Sequence, residues 1–185
     1  MSNRALKCPM PDNINPLYPT NFIFSVHKAP ELTFFVQDVN MPDISLGDAR
    51  YATPLNDIPV PGDKINFGQL TVSFLVDEKF ANYSQLTEWM LALGFPDNHQ
   101  RFTRFQEKQE NNLSEHLKTV SDATLGILDA SNHPVATYTF IDCFPISIGG
   151  WTYTSKATDT TPLIASATFL FDYYTLQTKW DGDPF

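Results

Sequence analysis

Apolar and polar residues alternate along several stretches of this chain, the period of strands with one buried face. In NFIFSVH (21–27), Phe22, Phe24 and Val26 oppose Ile23, Ser25 and His27. A turn over 28–31, with Pro30 in it, leads to LTFFVQDV (32–39), and these two strands are expected to pair as an opening hairpin. The sharpest alternation lies in 69–78, where Leu70, Val72, Phe74 and Val76 oppose Thr71, Ser73, Leu75 and Asp77. The period then changes to three and four. Leu86, Trp89, Met90 and Leu93 predict one amphipathic helix, with Asn82 or Ser84 as its N-cap and Gly94-Phe95-Pro96 as its stop. Strand character returns over 122–128, and a turn over 129–133 links it as a hairpin to a strand over 135–144 that Pro145 ends. A short strand over 146–154 is interrupted at Gly149-Gly150. One last strand, 163–175, sets Ala165, Ala167, Phe169, Phe171 and Tyr173 against Ser166, Thr168, Leu170, Asp172 and Tyr174.

Four segments lack either period. Residues 1–20 read as an extended N-terminal arm, 97–119 as a polar excursion that holds a short helix or a mobile surface segment, and 177–185 as a loose tail. The fourth, 41–64, has four prolines and two glycines and is expected to be mostly loop, with a short strand near 50–53. Loops beyond about 12–15 residues are usually functional or disordered. Ile44, Leu46, Leu55, Ile58 and Val60, with Tyr51 among them, suggest that this loop is ordered against a neighbouring subunit. The whole, 1–185, reads as a single domain of seven or so strands: an antiparallel β-sandwich or barrel with one flanking α-helix.

Composition narrows the chemistry. At 185 residues the chain can bury one sizeable core, and its aromatic content of 14% suits pleated, half-buried surfaces. The formal charge of −9 opposes adsorption to nucleic-acid phosphates, although a negative wall around a channel lets DNA pass by charge repulsion. No run approaches the ~18 apolar residues of a membrane helix, and the N-terminus lacks a secretory pattern, so no membrane anchor and a cytoplasmic site of synthesis are expected. Cys8 and Cys143 read as two reduced thiols.

No catalytic, cofactor-binding or metal residue is predicted. His27, His99, His116 and His133 form no ligand spacing, and zinc needs three or four convergent ligands. Asp77-Glu78 reads as a surface pair, the serines lie outside GxSxG, and Cys143 sits in a strand that suggests burial. Gly62 after Pro61 and Gly149-Gly150 read as turns, since neither follows a strand and opens a helix as a phosphate loop does. Arg101, Arg104 and Lys108 are diluted by Glu107 and Glu110 into a solvated face. Phe34, Phe35, Phe102, Phe105, Tyr173 and Tyr174 lack the positive groove of a base-stacking platform and are assigned to core packing.

Three segments together carry a resemblance: NFIFSVHKAPELTFFVQDVNMPDISL, DIPVPGDKINFGQLTVSFLVDEKFANYSQLTEWM, and FIDCFPISIGG followed by ATFLFDYYTL. In order and spacing, from about 21 to 175, they resemble the tail tube proteins of contractile-tailed phages and the related baseplate tube initiator. The resemblance implies a structural protein, not an enzyme, assembled as hexameric rings whose sheets join into an inner barrel. It implies a lumen that conducts DNA, sheath and baseplate proteins as partners, and a place in the virion tail. The long loop 41–64 and the terminal arms would reach neighbouring rings. Two other readings stand beside it: an initiator or terminator ring of the same fold, and a surface-exposed β-sandwich binding module.

Overall fold

A computed structural model describes residues 16–94, 100, 103–104, 119–156 and 161–178. Their strands are β1 (Phe22–Val26), β2 (Val36–Asn40), β3 (Ile44–Ala52), β4 (Asp57–Phe67), β5 (Leu70–Leu75), β6 (Ser121–Leu128), β7 (Pro134–Ile148), β8 (Ile164–Leu170) and β9 (Tyr173–Thr178). One α-helix, α1 (Ala81–Gly94), lies between β5 and β6, and every strand pairing is antiparallel.

Seven strands form one hydrogen-bonded network, bent into two layers by β7. Up to Cys143, β7 pairs with β6 and β9, and β6 in turn pairs with β1. From Phe144 onward it pairs instead with β8, which leads through β5 to β2. The bend is local chemistry: Asp142 has φ 56°, and the register shifts between Pro145 and Ser147 around a residue with no N–H to donate. A strand that changes sheets makes the corner of a sandwich. The path runs from β1 to β2 without joining them, so the described strands form an open sandwich and not a closed barrel.

The core lies between the layers, where the inward residues of both meet. Phe24, Val26, Ala123, Leu125 and Phe140 from one layer meet Leu70, Val72, Phe74, Ala165, Ala167 and Phe169 from the other. Helix α1 adds Leu86 and Trp89; Trp89 packs on Phe169 at 6.4 Å and donates Nε1–H to the Thr119 carbonyl at 2.9 Å. The fold class is the one expected, mainly β and antiparallel with α1 as its flanking helix.

Several expected elements differ. β1 and β2 are not a hairpin: a 3₁₀ turn at Pro30–Leu32 buries Leu32 and carries the chain across to the other layer, so β2 starts only at Val36. The helix begins at Ala81 behind Phe80, whose φ is 56°, so neither Asn82 nor Ser84 is the N-cap. β7 continues through Pro145 to Ile148, absorbing the strand expected over 146–154. The expected strand 163–175 is two, because at Phe171-Asp172 the chain leaves one layer for the other; Tyr174 turns inward and Tyr173 stays half-exposed. Strand β9 also takes in Gln177 and Thr178 from the expected tail.

Of the excursion 97–119, Gln100, Thr103, Arg104 and Thr119 have helical backbone, and the remainder lies outside the described residues. So do most of the N-terminal arm, the tail beyond Thr178, and Cys8, His99, His116, Phe102 and Phe105.

Candidate functional site

The segment 41–64, expected to be mostly loop, is instead most of a two-stranded hairpin, β3–β4, that stands apart from the sandwich. Its origin is legible in the register. β2 and β5 pair up to Asn40↔Thr71, and β3 and β4 resume at Ile44↔Phe67, four residues on along each chain. The hairpin therefore prolongs the β2–β5 ribbon beyond the sheet, across a short break bridged by the Gly68 N–H to the Asp43 carbonyl at 2.8 Å. Phe67 anchors its base on the Phe171 and Tyr174 rings, at 5.8 and 5.4 Å.

Beyond Phe67 every large apolar side chain of the hairpin faces solvent. Ile44, Leu46, Ile58, Val60 and Ile65 are about half-exposed, Tyr51 is 68% exposed and Leu55, at the tip, 98%. The tip is held by its own turn: Thr53 Oγ1 donates to the Asn56 carbonyl and accepts the Asn56 N–H at 3.2 Å. Direct cross-strand partners include Leu46↔Ile65, Ala49↔Val60 and Tyr51↔Ile58. All six residues expected at a subunit contact thus lie on one projecting element. Sequence reasoning missed Ile65, which follows the segment read as a loop, and Ala49, a small residue on β3. Among the described residues these side chains have little cover beyond Phe67, and exposed apolar surfaces of this kind mark interaction sites.

The remaining features offer less. A cleft of about 560 Å³ is lined by Ser25, His27, Lys28, Ser121, Asp122 and Asp142 among others. Burial pushes the Lys28 amine down to about 8, and its Nζ lies 5.8 Å from the Trp89 ring centroid. Cys143 is fully buried and its thiol is pushed up to about 12 by that burial, so it carries no thiolate to act as a nucleophile. The Asp129 carboxyl is lowered, first by the backbone N–H of His133 and then by that of Ser131, which it accepts in the β6–β7 turn. Among the described residues no group of three or more His, Cys, Asp or Glu is placed to hold a metal, and no helix is long and apolar enough to cross a membrane. The expected core role of Phe34 is overturned: it is 87% exposed, at the 3₁₀ turn that displaced the start of β2. Phe80, Tyr83, Trp151 and Tyr153 form a partly exposed aromatic cluster, with Tyr83 and Trp151 in edge contact at 4.7 Å.

Comparison with known proteins gives the geometry its context. The chain is similar in structure to a chain of the sheath–tube complex of an extracellular contractile injection system, PVC, in its extended state (TM-score 0.56, 16% identity, 88% of this chain and 92% of that one). It is similar to a chain of the anti-feeding prophage cap, a tube-terminating cap (TM-score 0.59, 14% identity, 94% and 99%). A chain of the anti-feeding prophage baseplate matches with TM-score 0.60, at 12% identity over 89% and 97%. At such identities these likenesses establish the fold. No curated protein matches the sequence. The family model described as phage tail tube protein matches residues 9–177, nearly the whole chain, and the protein therefore belongs to the phage tail tube family.

Proposed function

We propose that this protein is the structural subunit of a contractile tail tube, stacking as hexameric rings around a lumen through which DNA passes without specific binding. The observation that carries the reading is the projecting β3–β4 hairpin, whose Ile44, Leu46, Tyr51, Leu55, Ile58 and Val60 are exposed on one element built to reach a neighbour. The strand edges support it. Among the described strands β1, β2 and β9 each pair on one side only, and open edges in a monomer invite pairing with further chains. Closed rings are the usual outcome when one surface of a chain meets a different surface of its copy. Sheath and baseplate proteins are the expected further partners, the virion tail the expected location, and the host cytoplasm the expected site of synthesis. The protein acts through assembly and without catalysis.

Negative-stain electron microscopy across a protein concentration series tests this directly. Long tubes of uniform diameter are expected. Isolated rings that never elongate would move the protein to the tube end, as an initiator or terminator of the same fold. Persistent monomers at high concentration would overturn the tube reading.

A further inference from the structure

A groove of about 360 Å³ lies between β1 and β2, the two ends of the strand path, and is lined by Phe22, Val39, Met41, Leu125 and Ile127. Leu125 belongs to the core, and Phe22, Val39 and Met41 pack against it, so the groove is a mouth of the core and not a surface dent. Among the described strands, β1 and β2 pair on one side only, with β6 and β5, and their other edges border this seam.

The chain itself forms the outer lip. Asn21 is fixed to the β6–β7 turn: its Nδ2 donates to the Asp129 carbonyl at 2.9 Å, and its carbonyl accepts the Leu128 N–H at 3.0 Å. Upstream of it the backbone turns at Pro19-Thr20, and Leu17, Tyr18 and Pro19 line the groove together with Asp38, Val39 and Met41. The segment that precedes β1 therefore leaves that strand and heads across the seam toward β2. Leu17 and Tyr18 are each 57% exposed, so they cover the groove only in part.

Three observations select the occupant that completes the cover. The first is reach. The N-terminal arm 1–15 lies outside the described residues and joins the fold at Pro16, beside the lip. Fifteen residues extend up to about 50 Å, whereas the five of β1 run only about 17 Å. The second is chemistry. The arm carries Leu6, Met10 and Ile14 as apolar side chains, and Pro9 and Pro11 lack the N–H that would let it join the sheet as a regular strand. Such a segment covers an edge without pairing with it. The third is charge. Arg4 and Lys7 against Asp12 give the arm a formal +1, which leaves −10 on the remainder of a chain whose total is −9, and Asp38 stands in the groove wall. The body attracts its own arm.

We propose that in the free subunit residues 1–15 fold back into this groove, with Ile14 and Met10 on Phe22, Val39 and Met41, and screen the unpaired edges of β1 and β2. A short tether holds the arm near the groove at an effective concentration on the order of millimolar, so a contact of modest area is enough to seat it and is readily given up. The docking stands on the groove and the arm alone. Its consequence rests on the reading of the protein as a tube subunit: where assembly uses these edges, the arm is a restraint that leaves first.

The test uses the full-length protein, kept dilute, with a photo-crosslinking amino acid at Ile14. Isotopically heavy and light forms are mixed and irradiated, and the links are mapped by mass spectrometry. Links within one chain to Phe22, to 38–41 or to 125–127 are expected. Links between heavy and light chains at those residues would give the groove to a second copy, and links elsewhere or none would leave it without the arm; either overturns the proposal. Hydroxyl-radical footprinting reads the same contact without the crosslinker. Met10→Asp with Ile14→Asp should raise the oxidation of Met41 severalfold while the melting transition of the sandwich is kept, and unchanged oxidation would overturn the docking. Assembly separates the two readings. A wild type that never forms rings or tubes defeats the tube reading, while the links still decide the docking. In a wild type that does assemble, the double variant should do so at a severalfold lower concentration, and an equal or higher threshold would overturn the restraint.

Discussion

Asn82 ties the end of β5 to the start of α1. Its Nδ2 donates to the Leu75 carbonyl at 2.7 Å, and its Oδ1 accepts the Tyr83 N–H at 2.8 Å and the Asp77 N–H at 3.3 Å, in a site only 1% exposed. Asn82→Ala strands a buried carbonyl and two N–H groups, and is expected to cost about 2–3 kcal/mol in urea unfolding; a loss below ~0.5 kcal/mol would mean that water replaces the amide. Lys28 sets a pH dependence. Its folded-state value, about 8, lies below the ordinary 10.5 because burial penalises the charged amine. Between these two values the unfolded chain holds more protons than the folded one, so this group makes stability rise as pH rises through that window. Unfolding of wild type and Lys28→Met at pH 7.5 and 10 should show that rise in the wild type and lose it in the variant. The sequence points to Asn82 as a candidate N-cap of the helix, whereas the fold places it inside α1 with the Leu75 carbonyl within its reach.

At the scale of elements, β5, β6, the β6–β7 hairpin and α1 are where the periods of hydrophobicity place them, because each has one face on the core and one off it. The misses share a cause. Period reports burial and not pairing partner, so the β1–β2 hairpin inferred from adjacency gave way to β1–β6 and β2–β5. Nor does it report where one strand serves two sheets, so period alone ends β7 at Pro145 and runs β8 into β9 through Phe171. Beyond the end of β7, Gly149 lies against β8: its N–H donates to the Ser166 carbonyl at 2.6 Å, and a Cβ there would collide with Ser166 Oγ and stand 3.3 Å from that carbonyl. Gly149→Ala is expected to cost about 1–3 kcal/mol. Because the closest obstacle is the hydroxyl, Gly149→Ala with Ser166→Ala should recover part of that loss in a double-mutant cycle; strict additivity would place the strain in the backbone contact alone.

For the whole molecule, the charge of −9 becomes an assembly variable. Identical acidic chains repel as they approach, and salt screens that repulsion over a Debye length of about 8–10 Å near 0.1–0.15 M, while apolar contacts are not weakened by it. Raising salt from about 50 to about 500 mM should therefore lower the concentration at which rings or tubes appear, as read by sedimentation or light scattering. The opposite trend would mean that pairing of opposite charges, and not the apolar hairpin, dominates the contacts between copies.

Alternating residues were enough to point to a mainly β, antiparallel fold with a flanking helix, because burying one face of each strand leaves a period of two in the chain whatever the topology. The same logic picked out Ile44, Leu46, Tyr51, Leu55, Ile58 and Val60 as apolar residues in need of a partner, though not the strands that carry them. Register was left to the tertiary structure. Only once β2 and β5 are paired does the ribbon continue outward as β3–β4, and only that register sets Leu46 opposite Ile65 and Tyr51 opposite Ile58. Pairing is a relation between segments distant in the chain, and a pattern read along one segment at a time does not contain it.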